Sequence, residues 1–131
     1  MPESAKGKPE HIRLLLVDDE EGYVKVLAKR MAKRNIDVTP ALSGSQALQI
    51  LRHHDFDAAV LDLKMEDMDG IEVLKIFKMM DPKMPVIMLT GHGSETAARE
   101  GIKFGAFDYL TKPCDLTELV EKIREACGKK G

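Results

Sequence analysis

Acidic side chains stand at the ends of two short apolar runs, and hydroxyl and amino groups at the ends of two more. Ile12–Val17 stops at Asp18-Asp19-Glu20, and Ala58–Leu61 stops at Asp62. Pro85–Leu89 stops at Thr90-Gly91, and Ala106–Leu110 at Thr111-Lys112-Pro113. If these ends meet in space, the chemistry is narrowly bounded. Two carboxylates about 4 Å apart repel by about 4 kcal/mol at an effective dielectric of about 20, so Asp18, Asp19 and Asp62 together call for a cation. Hard oxygen donors from few residues suit Mg²⁺, which keeps several waters and accepts phosphate oxygens. Lys112 would bring a second positive charge to a phosphate, and Thr90 a hydroxyl donor. A carboxylate beside Mg²⁺ and a lysine can accept a phosphoryl group as an aspartyl-phosphate.

Whether the ends meet depends on the elements that carry them. After a polar stretch over residues 1–11, read as a loose tail, apolar runs alternate regularly with amphipathic stretches. Ile12–Val17 is followed by Val24, Leu27, Ala28 and Met31 at helical spacing, and Ile36–Leu42 by Gly44, Ala47, Leu48 and Leu51. Ala58–Leu61 precedes a helix opened by Asp69 and Glu72 as a capping box, running through Met80 and stopped by Asp81-Pro82. Ser94–Lys103 is the weakest helix, Ile102 being its only large apolar side chain. Asp115 and Glu118 form a second capping-box pair ahead of the stripe Leu116, Leu119, Val120, Ile123 and Cys127.

Five strand-then-helix repeats predict a single α/β domain over residues 12–127, with 128–131 a second tail. Parallel strands need crossover helices, and strands 1, 3 and 4 are apolar enough to be covered on both faces. Asp37 and Thr39 suit strand 2 to an edge. Right-handed crossovers then favour a doubly wound, flavodoxin-like (βα)5 sheet in the order 2-1-3-4-5. Ligands of such sheets bind beyond the carboxyl ends of the strands, which is where the acids, Thr90 and Lys112 collect.

Composition closes off other classes. The chain has 131 residues, 44% hydrophobic and 32% charged, and a formal charge of −2, so no basic footprint for nucleic acid or an anionic membrane is present. No apolar run reaches the about 20 residues of a membrane span, and the N-terminus lacks a signal core, which predicts a cytoplasmic protein. Cys114 and Cys127, placed on one predicted helix about 20 Å apart, cannot pair and read as small hydrophobes. The 4 histidines lack metal spacing, His53-His54 suiting a helix end, and the 8 methionines read as core filling or helix surface.

Over residues 12–127 the sequence resembles a response-regulator receiver domain. The resemblance is carried by Leu-Val-Asp-Asp-Glu (16–20), Leu-Asp-Leu-Lys-Met (61–65) leading into Met68-Asp69-Gly70, Leu-Thr-Gly (89–91) and Tyr-Leu-Thr-Lys-Pro (109–113). It implies that Asp62 is the phosphoacceptor. It also implies that Asp19, Asp62 and the backbone carbonyl of Lys64 ligate Mg²⁺, with Asp18 acting through a bound water. Thr90 and Lys112 would contact the phosphoryl group, Tyr109 would be the aromatic switch, and Lys112–Pro113 would be cis. Lys64 and His92, two residues beyond Asp62 and Thr90, are candidates for tuning the lifetime of the aspartyl-phosphate. A sensor histidine kinase or phosphotransfer protein would be the donor, and the surface of helix 4, strand 5 and helix 5 would meet a downstream protein or a second copy. The pattern departs from many receivers at Glu66, where a proline is usual.

Each piece also has a plainer reading. The acids after strand 1 suit a solvated helix N-terminus, Thr90 a loop, Lys112 a surface and Tyr109 simple packing; their convergence favours a shared site. A Mg²⁺-dependent phosphohydrolase of the haloacid dehalogenase type is the enzymatic alternative, but it would resemble Asp-x-Asp where this chain has Asp18-Asp19-Glu20. A flavodoxin-like cofactor binder would need a phosphate loop where these acids stand. A purely structural site and a receiver joined to an output domain both stay open.

Overall fold

The computed structural model describes residues 11–91 and 94–128. The tails expected over residues 1–11 and 128–131 therefore lie largely outside the described residues, as does His92. The elements run β1 Ile12–Val17, α1 Glu21–Ala32, β2 Ile36–Ala41, α2 Gly44–His53, β3 Ala58–Asp62, α3 Gly70–Met80, β4 Val86–Thr90, α4 Glu95–Lys103, β5 Asp108–Thr111 and α5 Leu116–Ala126. All strand pairs are parallel and the order is β2-β1-β3-β4-β5, so the expected doubly wound sheet with β2 at an edge is the fold.

Period-two alternation decides which layer each strand residue joins. Leu14, Leu16, Val60, Ile87 and Leu89 face Val24, Leu27 and Met31 of α1 and Leu119, Val120 and Ile123 of α5. Leu15, Val17, Ala59, Leu61, Val86 and Met88 face Ala47 and Leu51 of α2 and Val73, Leu74 and Phe77 of α3. Both faces are therefore covered, and β3 and β4 are buried throughout. Among the described residues, no helix is long and apolar enough to cross a membrane.

Several local expectations shift. β3 and β4 run one residue further than their apolar stretches, so Asp62 and Thr90 are the last strand residues. The last strand begins at Asp108 instead of Ala106: the Ala106 N–H is still bonded to the Gly101 carbonyl of α4 at 3.0 Å, and the Phe107 N–H makes the first bond to β4, at Val86. Cys114 is not helical: α5 starts at Leu116, and only Cys127 belongs to that helix, as its C-cap. Asp69 caps α3 through the Ile71 N–H at 3.0 Å, while Glu72 turns to Lys75 at 3.3 Å. Asp115 stands at the N-cap of α5 without a side-chain capping bond. Neither pair closes a reciprocal box, since in each the glutamate has a different use or the aspartate makes no bond.

Candidate functional site

Sheet hydrogen bonds continue past the strand ends and fix where the chemical groups emerge. Asp18 donates its N–H to the Ala41 carbonyl at 3.0 Å, Leu63 to Leu89 at 3.1 Å and Lys112 to Thr90 at 2.7 Å. Asp18, Asp62 and Lys112 thus emerge at the same end of the sheet, from β1, β3 and β5. A helix follows three of these ends, so the groups sit at the rim of a layered core.

The acids converge. Asp18, Asp19 and Asp62 each offer a carboxylate oxygen within 4.8 Å of the others. Asp18 is fully buried and Asp62 is 6% exposed, whereas Asp19 faces solvent. The Lys112 Nζ lies 2.8 Å from Asp18 Oδ2, 3.0 Å from Glu20 Oε1 and 3.6 Å from Asp62 Oδ2. Backbone donors serve the remaining oxygens: Glu20 N–H to Asp18 Oδ1 at 3.0 Å, and Lys64 N–H to Asp62 Oδ1 at 3.2 Å.

Burial pushes the Asp62 carboxyl above its ordinary pKa, the charges of Asp18 and Asp19 add to this, and the Lys64 N–H and Lys112 oppose it. For Lys112, burial acts to lower the pKa, but the bonds to Asp18 and Glu20 and the charge of Asp62 prevail and hold it well above the usual lysine value. One ammonium thus serves three carboxylates, those of Asp18, Glu20 and Asp62, with Asp19 a further acid beside them. The cleft above them, about 470 Å³, opens between Asp19, Asp62, Lys64, Glu66 and Lys112. An all-oxygen donor set carrying excess negative charge beside an open cleft fits a hard divalent cation such as Mg²⁺.

The structure does not gather every candidate equally. Asp18, Asp19, Asp62 and Lys112 come together. The Thr90 hydroxyl is buried and donates to the Leu110 carbonyl at 3.5 Å. Tyr109 is half-buried against the layer containing Leu61, Met88 and Phe77. Lys64 is exposed on the cleft rim, and the Lys112–Pro113 bond is cis.

Two partners were not singled out from the sequence. Glu20 binds Lys112, and the Glu66 N–H donates to Asp19 Oδ2 at 3.3 Å. Three consecutive acids facing a single lysine are the signal that could have assigned Glu20; nothing local marks the backbone of Glu66 except that it is not proline. The phosphohydrolase alternative is not favoured, because its second acid would stand at position 20 and Glu20 is turned onto Lys112.

Comparison with known proteins agrees with this geometry. The family model described as response regulator receiver domain matches residues 14–124. The transcriptional regulatory protein GlrR of Escherichia coli (strain K12) is 40% identical over 119 residues, which cover 91% of this chain and 26% of that protein. The transcriptional regulatory protein ZraR of Klebsiella oxytoca is 38% identical over 117 residues, covering 89% of this chain and 26% of that protein. The chain thus spans about a quarter of the length of these curated relatives. A crystal structure of a response regulator receiver domain protein from Clostridium thermocellum superposes with a TM-score of 0.86 at 31% identity, covering 89% of this chain and 94% of that one. Motifs, topology, acidic cluster and relatives converge: the chain belongs to the response regulator receiver domain family.

Proposed function

We propose that the chain is a phosphorylation-dependent switch in which Asp62 accepts a phosphoryl group from the phosphohistidine of a sensor histidine kinase or phosphotransfer protein. The observation that carries this reading is the meeting of Asp18, Asp19 and Asp62 within 4.8 Å around a cleft that also holds Lys112. Asp19, Asp62 and the backbone carbonyl of Lys64 would hold Mg²⁺ directly, with Asp18 acting through a water. When bound, the ion supplies positive charge to the oxygens of the transferring phosphoryl group.

The chain's own groups do the rest. An Asp62 oxygen attacks phosphorus, the P–N bond breaks, and the departing imidazole nitrogen keeps the electron pair and takes up a proton. Lys112, already 3.6 Å from Asp62, transfers hydrogen bonding to the new phosphoryl oxygens. The Thr90 hydroxyl exchanges the Leu110 carbonyl for the same group, and Tyr109 follows inward. The phosphoryl contacts thereby favour one of two arrangements of the α4, β5 and α5 surface. That surface would meet a downstream protein, a joined output domain or a second copy. Lys64 and His92 would tune the lifetime of the aspartyl-phosphate, and catalysis would be limited to the domain's own phosphorylation and dephosphorylation.

Incubation with a small acyl phosphate and Mg²⁺ tests the assignment by intact mass. One added phosphoryl group is expected, absent in Asp62→Asn and after chelation of Mg²⁺. An unlabelled wild-type protein would overturn the proposal.

A further inference from the structure

The segment between β3 and α3, residues 63–69, borders the cleft and is fastened to a helix that contributes no acid to it. Asp67 accepts the Gly44 N–H at 2.9 Å, the Ser45 N–H at 3.0 Å and the Ser45 hydroxyl at 3.1 Å. These amides open α2 and have no acceptor within the helix. The Ser43 hydroxyl takes the Gln46 N–H at 3.0 Å, so Asp67 completes from a distant loop a cap that Ser43 begins. The carboxylate also meets the positive end of the helix dipole. Its amide donors, Gly44 first and then Ser45, hold it below the ordinary carboxylate range, so it stays charged near neutrality.

Close packing makes the contact available. A Cβ at position 44 would lie 3.0 Å from both Met68 Sδ and Val73 Cγ2, so a glycine there lets the loop lie against the helix. One residue before Asp67, the Glu66 N–H reaches Asp19 Oδ2 at 3.3 Å. Residues 66 and 67 therefore bridge a cleft acid on one side and the start of α2 on the other. The base of the loop is fixed separately, by an antiparallel bridge between Lys64 and Asp69 and by Gly70 lying on the Leu63 backbone.

We propose that Asp67 is a positioning residue for the cation site: by binding the first amides of α2 it holds the loop so that the Glu66 N–H keeps Asp19 turned toward Asp62. This deepens the Mg²⁺-dependent reading above and rests on it. Calorimetric Mg²⁺ titration and backbone amide exchange of the wild type, Asp67→Ala and Asp67→Asn test it together.

Outer partners of a metal site commonly contribute about 10–100-fold in affinity. Asp67→Ala is expected to weaken Mg²⁺ binding about tenfold and to speed exchange at Gly44, Ser45 and Glu66. Asp67→Asn, which keeps one acceptor oxygen, should fall between. If Asp67 were only a local cap, exchange would rise at Gly44 and Ser45 while Glu66 and the Mg²⁺ affinity stayed as in the wild type; that result overturns the proposal. A wild type that binds no Mg²⁺ would instead defeat the cation reading, and exchange at Glu66 would still decide whether Asp67 steers the loop.

Discussion

The β3–α3 region and the α4–β5 region flank the same sheet, yet they are held very differently. β3 is buried along its whole length, and α3 buries Ile71, Val73, Leu74 and Phe77. The loop joining them is tied by Asp67, Asp69 and Gly70. In contrast, α4 buries only Ala98 and Gly101, and in β5 only Leu110 is buried. Ile102, Phe104 and Phe107 are all substantially exposed. The region holding Asp62 is seated by large buried side chains, while α4 and the strand carrying Tyr109 bury few, although Lys112 beyond them is held by its carboxylates. Local stability follows buried apolar contact, so a domain built this way can keep its acids placed while part of its surface rearranges.

The most damaging test of this contrast is a cavity in the tight region. Phe77 is fully buried between α3 and the sheet. Phe77→Ala is expected to cost about 3–5 kcal/mol, the range for emptying a well-packed aromatic site. Denaturant unfolding measures this directly. A cost below about 1 kcal/mol would mean that the α3 side is no better packed than a surface and would remove half of the comparison.

Much of this contrast was legible in the residues. The nearly unbroken apolar runs of β1, β3 and β4 announce strands covered on both faces, and the acids at their ends announce where charge must gather. Ile102 as the sole large apolar residue of α4 already marked the weak helix, and it proves to be 41% exposed. What stayed hidden depends on contacts between distant segments. Asp67 looks like one more loop acid, and only the fold brings it to the amides of Gly44 and Ser45, 23 and 22 residues earlier in the chain. Asp115 has the right spacing to Glu118 for a capping box, but spacing does not oblige its side chain to make the bond. The sequence reading places Cys114 and Cys127 on one helix, whereas the chain through the cis Lys112–Pro113 bond reaches Asp115 before that helix begins.

A smaller effect, with the opposite sign, should come from Asp62. Its carboxyl is raised above the ordinary value by burial and by Asp18 and Asp19, so the folded state binds that proton more tightly than the unfolded chain does. Stability then falls as pH rises from the ordinary carboxylate pKa through the raised one, and the ionised form is a net cost above that window. In metal-free buffer at neutral pH, Asp62→Asn should therefore stabilise the domain by about 0.5–2 kcal/mol, the usual size of a single stabilising substitution, because it removes a charge that burial, Asp18 and Asp19 disfavour. Acidification through the window should shrink the advantage, because the wild-type carboxyl becomes neutral as well. An Asn variant less stable than the wild type at neutral pH would show that Lys112 and the Lys64 N–H more than offset the cost of placing Asp62 there.

The slightest effect on global stability belongs to α4. Ile102→Ser removes an apolar side chain that is 41% exposed, so unfolding free energy should change by no more than about 0.5 kcal/mol. The informative quantity is local. A 9-residue helix seated on the sheet through Ala98 and Gly101 has little burial to oppose opening, since most helical stability comes from packing of an apolar face. Amides of α4 should accordingly exchange by local opening well before those of α3, in the wild type and in Ile102→Ser alike. Gly101 explains why the helix stays seated at all: the absence of a side chain lets it approach Met88, whose Sδ would lie 2.2 Å from an added Cβ. Equal protection in α3 and α4 would show that this small contact holds α4 as firmly as four large side chains hold α3, and the division into a placed half and a yielding half would be lost.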